Sequence, residues 1–430
     1  MTAETSPARD SPIAASSTAF RADQPDPELA GLRVLAIAPT PFFGDYGCHV
    51  RIVEEVTALA RRGVETSIAT YPFGRDLPGL TIRRAPRILG KRHIDPGSSY
   101  RKFPMDVALA ALATRLAWKE RPALVHGHLH EGALIGTAVA RSRGIPLVFD
   151  FQGSLTSEML DHGFLVRGGL SYPTFRALEG WIVKRADAIV TSTHRGADML
   201  IREFGCAASA ITIVADAVDV HRFRPLWEMA AEDGHLARAQ NLRRQLGIPD
   251  GRPVIVYLGL LAEYQGITHL LRAAQLLLQR GVDAHFLIMG FPGEARYRRM
   301  AESLGLALHA TFTGAIAYDD APGYLALGDV AVSPKLSQTE GNGKLLNYIA
   351  MGLPTVAFDT PVNREILGDL GVYAPYGDWT ALATELEGVL RDSRAAEERG
   401  RGLRTSAVAE HNWEDSAESL LGVYRRLLRE

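Results

Sequence analysis

Cysteine is nearly missing from this chain of 430 residues; only Cys48 and Cys206 occur. Two thiols in such a length make no disulfide framework, so the expected location is a reducing cytoplasm. An excess of one charge is missing too. Lys and Arg total 47 against 49 Asp and Glu, a formal charge of -2. Bulk nucleic-acid binding needs a basic footprint, so no nucleic acid is expected as a partner. No apolar run reaches the length of about 18 residues that a membrane-spanning helix requires. Residues 1–30 are rich in Ala, Ser, Pro and Asp and lack the apolar stretch of a secretory signal, so they read as a disordered tail. The loop after Ala38 has no G-x-G-x-x-G, so the dinucleotide fingerprint of a nicotinamide dehydrogenase is absent.

What is present is ordinary in bulk and ordered in pattern. Apolar residues make up 47% and charged residues 22%, as in a globular protein, and the length asks for two domains. Two segments share one plan. Arg33 to Ala38 reads as a strand, a helix pattern runs from about His49 to Arg62, Gly63 follows, and Glu65 to Thr70 is a second strand. Pro253 to Leu258, the helix pattern Ile267 to Arg280, Gly281 and the strand Ala284 to Met289 repeat it. Both helices end in Arg-Gly-Val, with the glycine as C-cap. Further strands fit Leu124 to Gly127, Leu147 to Phe151, Ala188 to Ser192, Ile211 to Ala215, Ala310 to Thr313 and Val330 to Ser333. Short apolar strands alternating with amphipathic helices imply parallel sheets covered on both faces. The expected fold class is α/β, with two Rossmann-like domains facing across a cleft. Residues 31–222 form the first, 223–252 a linker with an inserted helix, 253–411 the second, and 412–430 a last helix.

One stretch carries the most chemistry, S-Q-T-E-G-N-G-K-L-L-N-Y-I-A-M-G-L-P-T-V-A-F-D-T at 337–360. Glu340 precedes Gly341 and Gly343, and an apolar helix pattern starts at Lys344. Glycine allows a ligand close to the backbone, helix-start amides point at anions, and the acid accepts hydrogen bonds from hydroxyls. Such a cradle suits a polyol and a phosphate together. A cation in the first helical turn opposes the helix dipole unless an anion binds, which marks Lys344.

Six pieces, in order, resemble the retaining glycosyltransferases of family 4, which have the GT-B fold. They are P-T-P-F-F-G-D-Y-G-C-H-V-R (39–51), V-H-G-H-L-H-E-G (125–132), F-D-F-Q-G-S (149–154), I-V-A-D-A-V-D-V-H-R-F-R-P (213–225), E-G-N-G (340–343) and H-N-W-E-D-S-A-E-S-L-L-G-V-Y-R-R-L-L (411–428). The resemblance implies a nucleotide diphosphate sugar donor on the second domain and a sugar, lipid-linked or small-molecule hydroxyl acceptor on the first. It implies Glu340 on the donor sugar, and Gly341, Asn342, Gly343, Lys344, Asn347, Lys335, Gly259 and Gly44 around the donor. Gln152 stands where the family has an active-site His, with a plain strand-end amide as the alternative. His128, His130, Asp150 and His49 fall on the acceptor side. The last helix is expected to cross back to the first domain. No Asp-x-Asp occurs, which removes the metal-diphosphate device of the other main glycosyltransferase fold. No cofactor and no metal are expected, the nucleotide sugar being a substrate.

Departures from the family pattern carry information. Asn347 stands where a second Glu is usual, and an amide bonds a ribose hydroxyl without charge assistance. Leu260 and Gln265 stand where Arg and Lys usually meet the donor phosphates. Asp216-Ala217 replaces the more usual Asn-Gly. Lys335 and Lys344 are the obvious substitutes for the lost charge. His126, His128 and His130 alternate and are expected to share one face of a strand end. With no clear further ligand set beside them, an acceptor-site role for one and a structural role for all stay open, and a metal is not expected. Seven Lys or Arg lie in 81–102 (Arg83, Arg84, Arg87, Lys91, Arg92, Arg101, Lys102) against Asp95. A solvated surface is one reading; weak contact with anionic lipid at the inner membrane face is the other. A GT-B sugar-nucleotide epimerase or hydrolase, or a non-catalytic nucleotide-sugar binder, shares the fold and remains as the alternative function.

Overall fold

The computed structural model describes residues 27–44, 47–87, 102–161, 164–229, 233–337 and 341–429. Its framework is two parallel sheets. The first holds β1 (Arg33–Ala38), β2 (Glu65–Thr70), β3 (Thr81–Arg84), β4 (Leu124–His128), β5 (Leu147–Phe151), β6 (Ala188–Thr191) and β7 (Ile211–Ile213) in the order β3-β2-β1-β4-β5-β6-β7. The second holds β8 (Val254–Leu258), β9 (His285–Met289), β10 (Ala310–Gly314), β11 (Val330–Ser333), β12 (Thr355–Phe358) and β13 (Val372–Ala374) in the order β10-β9-β8-β11-β12-β13. The apolar strands sit in the middle of each sheet because helices cover both faces; β4, β5 and β9 are buried along their whole length.

The repeated plan is as the spacing requires. The helices Cys48–Arg61 and Ile267–Gln279 follow β1 and β8. Gly63 and Gly281 then take left-handed backbone at φ 89° and 79°. Three strands escaped the sequence reading; β12 lies in the short apolar run after Pro354. β13 is only three residues long, and β3 (T-I-R-R) is a polar edge strand that alternates between exposed and half-buried. Edge strands are commonly charged, which hides them from an apolar pattern. β3 also opens the basic run. Arg83 Nε reaches Glu120 at 3.4 Å, while Arg84 bonds Asp76 and the Phe42 carbonyl. Those two arginines are engaged within the domain, and residues 88–101 of the run lie outside the described residues. Among the described residues no helix is long and apolar enough to cross a membrane.

Residues 27–30, read as tail, are described, and Leu29 is only 4% exposed, packed with Leu59, Val64 and Tyr424. The last helix, Trp413–Arg429, lies on the first domain. Its Leu420, Leu421 and Tyr424 share a core with Val34, Leu124 and Val148, and Ser416 Oγ donates to the Ala215 carbonyl at 2.9 Å. The crossing segment supplies Val218, Val220 and Phe223 to an apolar cluster that joins Ile52 and Val56 of the first domain to Leu345, Ile349 and Leu403 of the second.

Arg404 locks that crossing. From the Ser393–Glu410 helix it donates to both oxygens of Glu228 at 2.9 and 2.8 Å, and to the carbonyls of Phe223, Ala350 and Val220 at 2.9 to 3.0 Å. At 6% exposure, truncation strands three carbonyls. Arg404→Ala is expected to lower unfolding free energy by about 2–3 kcal/mol, read as a drop in the urea midpoint. An unchanged midpoint would contradict this role.

Both sheets change direction of winding once, between β1 and β4 and between β8 and β11. In such sheets the crevice beyond the carboxyl ends of the strands at that point is where ligands bind.

Candidate active site

The cleft lies at those two crevices. It encloses about 390 Å³, with walls from Pro39 to Pro41, Gly47 to Arg51, Leu129 to Glu131 and Gln152 to Leu155 on one side and from Leu258 to Leu260, Lys335 and Gly341 to Lys344 on the other. That volume lies in the range of small-molecule sites, roughly 300–1,000 Å³.

On the second domain, the loop after β11 leads into the short helix Lys344–Ala350. Glu340, given the first role by sequence, lies outside the described residues. Gly341 to Lys344 and Asn347 line the cleft as expected. The Asn342 side chain is a brace: its amide donates to Ser333 Oγ at 2.9 Å and Asn363 Oδ1 at 2.7 Å, and it is 2% exposed. Lys335, 4% exposed, donates to the Gly341 carbonyl at 2.6 Å and so holds the same loop.

Lys344 is placed differently. Its Nζ donates to Gln265 Oε1 at 2.6 Å. It also sits 5.2 Å from the centre of the Tyr257 ring. Gly259, just past the end of β8, takes a φ of 147° that favours glycine, and a Cβ there would stand 2.8 Å from Lys344 Cε and push the lysine end aside. Gln265, the neutral residue where the family usually has a cation, thus holds the ammonium of Lys344 at its own amide.

On the first domain, Arg51 is the residue sequence reading passed over. It lies in the cleft wall yet is only 7% exposed. It reaches Asp150 at 3.2 Å, Asp216 at 2.5 Å and the Val214 carbonyl at 3.2 Å. Burial pulls the Arg51 guanidinium down, but Asp150 and Asp216 outweigh it and hold the group charged. Burial pushes the Asp150 carboxyl up, and Arg51 and His128 overcome this and hold it well below the usual carboxylate range. The only trace of Arg51 in the sequence was its place at the end of the 39–51 motif. Asp216 Oδ2 would lie 3.2 Å from a Cβ on Gly341, so the two domains meet across the cleft there.

Several acceptor-side expectations need correction. His128 and Asp150 are fully buried and are not in the cleft wall. They bond each other at 2.9 Å beneath Arg51. Gln152 is in the wall, its amide donating to Asp150 Oδ2 at 2.6 Å. The three histidines do not share a face. His126 and His128 stack with centroids 4.4 Å apart, but Leu129 takes a left-handed φ of 59° and turns the chain into the helix Leu129–Arg143. His130 then packs edge-on against Phe149 and Phe151 and approaches Glu179 at 3.5 Å. Burial lowers its pKa, so it is neutral near pH 7. The absence of a further ligand set beside His126 and His128 is also overturned, because Glu55 and Asp150 lie beside them. His49 is in the wall, and its Nδ1 accepts from the Gly44 amide at 2.8 Å, which puts its proton on Nε2. Gly44 itself is not in the wall; Gly47 takes that place, and Asp45 lies outside the described residues.

Two family models match. "Glycosyl transferase 4-like domain" covers residues 46–217, and "Glycosyl transferases group 1" covers 238–404. The chain belongs to the group 1 glycosyltransferases. It is 27% identical to the 2-deoxystreptamine glucosyltransferase of Streptomyces kanamyceticus over 395 residues, 88% of this chain and 99% of the relative. It is 28% identical to the D-inositol 3-phosphate glycosyltransferase of Acidothermus cellulolyticus, over 91% of this chain and 88% of that one. The fold matches sucrose-phosphate synthase from Thermosynechococcus elongatus with a TM-score of 0.77 and 18% identity, covering 93% of this chain and 99% of that one. It also matches the Anabaena protein HepE, solved with UDP-glucose, with a TM-score of 0.70 and 14% identity over 92% and 100% of the two chains. The architecture of this glycosyltransferase is therefore GT-B, and the C-terminal helix on the first domain is part of it.

Proposed function

We propose that this glycosyltransferase moves a sugar from a nucleotide diphosphate sugar to a hydroxyl of a small polyhydroxy acceptor, with retention at the anomeric carbon and no metal at the reacting centre. The observation that carries this reading is the placement of Lys344 at the end of β8, against Gly259 and Gln265, on the wall that also holds Gly341 and Gly343. A donor diphosphate over this wall meets a fixed ammonium. The acceptor class follows the relatives, whose names specify a deoxystreptamine and an inositol phosphate.

The chemistry is the one that the family resemblance implies. The bond from the anomeric carbon to the leaving phosphate breaks. The acceptor oxygen bonds to the same face, and its proton goes to the leaving phosphate. No protein nucleophile is needed. Glu340 accepts from donor-sugar hydroxyls, and Lys344 stabilises the charge that develops on the diphosphate. Asn347 bonds a ribose hydroxyl. Arg51, Gln152 and His49 shape the acceptor half, and closure of the cleft excludes water.

The test is a thermal-shift panel of nucleotides and nucleotide sugars, followed by product analysis with cyclitol and sugar acceptors. A true donor at about 100 times its Kd stabilises the fold by roughly 2.7 kcal/mol. The expected product is an α-linked glycoside from an α-configured donor. A β-linked product removes the retaining mechanism. Free sugar or an epimerised donor as the sole product favours the hydrolase or epimerase reading, and binding without turnover makes the chain a nucleotide-sugar binder.

A further inference from the structure

Below the cleft floor four side chains outside the transfer chemistry meet in an enclosed space. Glu55 comes from the Cys48–Arg61 helix, His126 and His128 from β4, and Asp150 from β5. Each is at most 1% exposed, and none lies in the cleft wall. One ligating atom of each lies within 4.8 Å of the others. Topology brings them together: parallel pairing sets His128 beside Asp150, and the two-residue step along β4 stacks His126 on His128.

Buried polar atoms need partners, and here several have none. Neither Glu55 oxygen has a hydrogen bond, nor does Nε2 of His126 or Nε2 of His128. Glu55 Oε1 comes only within 3.4 Å of His126 Nδ1. The Nδ1 atoms, by contrast, are held: His126 by Tyr424 Oη at 2.8 Å, His128 by Asp150 Oδ2 at 2.9 Å. An imidazole fixed at one nitrogen by a carboxylate or hydroxyl offers the other as an oriented lone pair, the usual arrangement of metal-ligating histidines. Charge points the same way. Arg51 acts on Glu55 only from a distance, its hydrogen bonds going to Asp150 and Asp216, and among the described residues no Lys or Arg forms an ion pair with Glu55. A buried carboxylate without a direct partner is costly.

We propose that Glu55, His126 and His128 bind one divalent transition-metal ion, with Asp150 orienting His128. Two imidazoles and a carboxylate suit the zinc class rather than calcium or magnesium, which prefer all-oxygen shells. The ion is structural. It ties the first helix to β4 and, through Tyr424, to the C-terminal helix, and no step of the transfer passes through it. Because the ligands are enclosed, the ion enters as the chain folds or opens.

The test uses the full chain and the metal alone. Protein unfolded with chelator is refolded with Zn²⁺ or Co²⁺, desalted and assayed for metal. The expected result is one ion per chain, a lower melting temperature when the chain is refolded with chelator, and visible d–d absorption from the Co²⁺ form. His130→Gln, which changes a neighbouring histidine outside the cluster, keeps the ion, whereas Glu55→Gln and His128→Gln lose it. X-ray absorption at the zinc edge of the wild-type chain supplies a reading that needs no variant, with an expected shell of two imidazoles and oxygen. A folded wild-type chain that retains no metal overturns the proposal. So does a shell with sulfur or oxygen alone, or metal that stays bound in Glu55→Gln.

Discussion

Lys344→Gln is expected to lower kcat by about a hundredfold or more while leaving the ligand-free fold as stable as before. The size is that of removing one preorganised donor from developing transition-state charge. The unchanged stability follows from position. Lys344 opens a helix, Lys344–Ala350, whose N-terminus opposes a cation, by about 0.3–1 kcal/mol at an exposed end, so removing its charge does not weaken the ligand-free helix. The contact between Lys344 Nζ and Gln265 Oε1 gives a sharper version of the test. The pair Lys344→Gln with Gln265→Lys returns an ammonium to the same place from the other side. It is expected to recover a large part of the activity lost in the single variant. Single-turnover kinetics with the donor found by thermal shift would read both. Equal activity for Lys344→Gln and wild type, or no recovery in the double variant, would contradict the assignment.

Arg51→Ala is expected to destabilise the fold by about 3–5 kcal/mol, because one partner of a buried pair is removed and Asp150 is left charged and fully enclosed. Arg51→Lys recovers little. One guanidinium spans Asp150, Asp216 and the Val214 carbonyl, and an ammonium cannot present that fork. A urea-denaturation cycle of Arg51→Ala, Asp150→Asn and the double variant measures the coupling. Strong coupling, with the double variant less damaged than Arg51→Ala, is the expected outcome. Additive losses would mean that the ion pair does not hold the floor of the cleft. Activity should fall further than stability explains, since Asp150 also fixes the Gln152 amide that faces the cleft.

Much of the architecture was legible in the order of residues. The periods that mark β1, β8 and the helices after them come from burial on both sheet faces, and burial there is set locally by alternation of strand and helix. The donor-side loop was legible for a similar reason, since glycines, a helix start and a lysine sit within a few residues of one another. β3 and β13 were not legible, because a polar edge strand and a three-residue strand carry too little apolar pattern. His130 was misplaced because alternation was extended past the end of β4, and nothing in L-H-E-G announces the left-handed turn at Leu129.

The sequence by itself determined the two-domain α/β plan, the family and the neighbourhood of the donor loop, since each rests on contacts between residues close along the chain. Only the tertiary structure decided that Gln265 and Lys344 act as a pair. Only it decided that Asp150 and His128 lie under the floor rather than on it, and that Arg51 joins β5 to the crossing segment. It also decided that Glu55 meets His126 and His128. In these cases the partners are brought together by the parallel pairing of neighbouring strands, β8 with β11 for Gln265 and Lys344, or by the packing of the first helix on its sheet, and the energy of the contact depends on burial that no local pattern records.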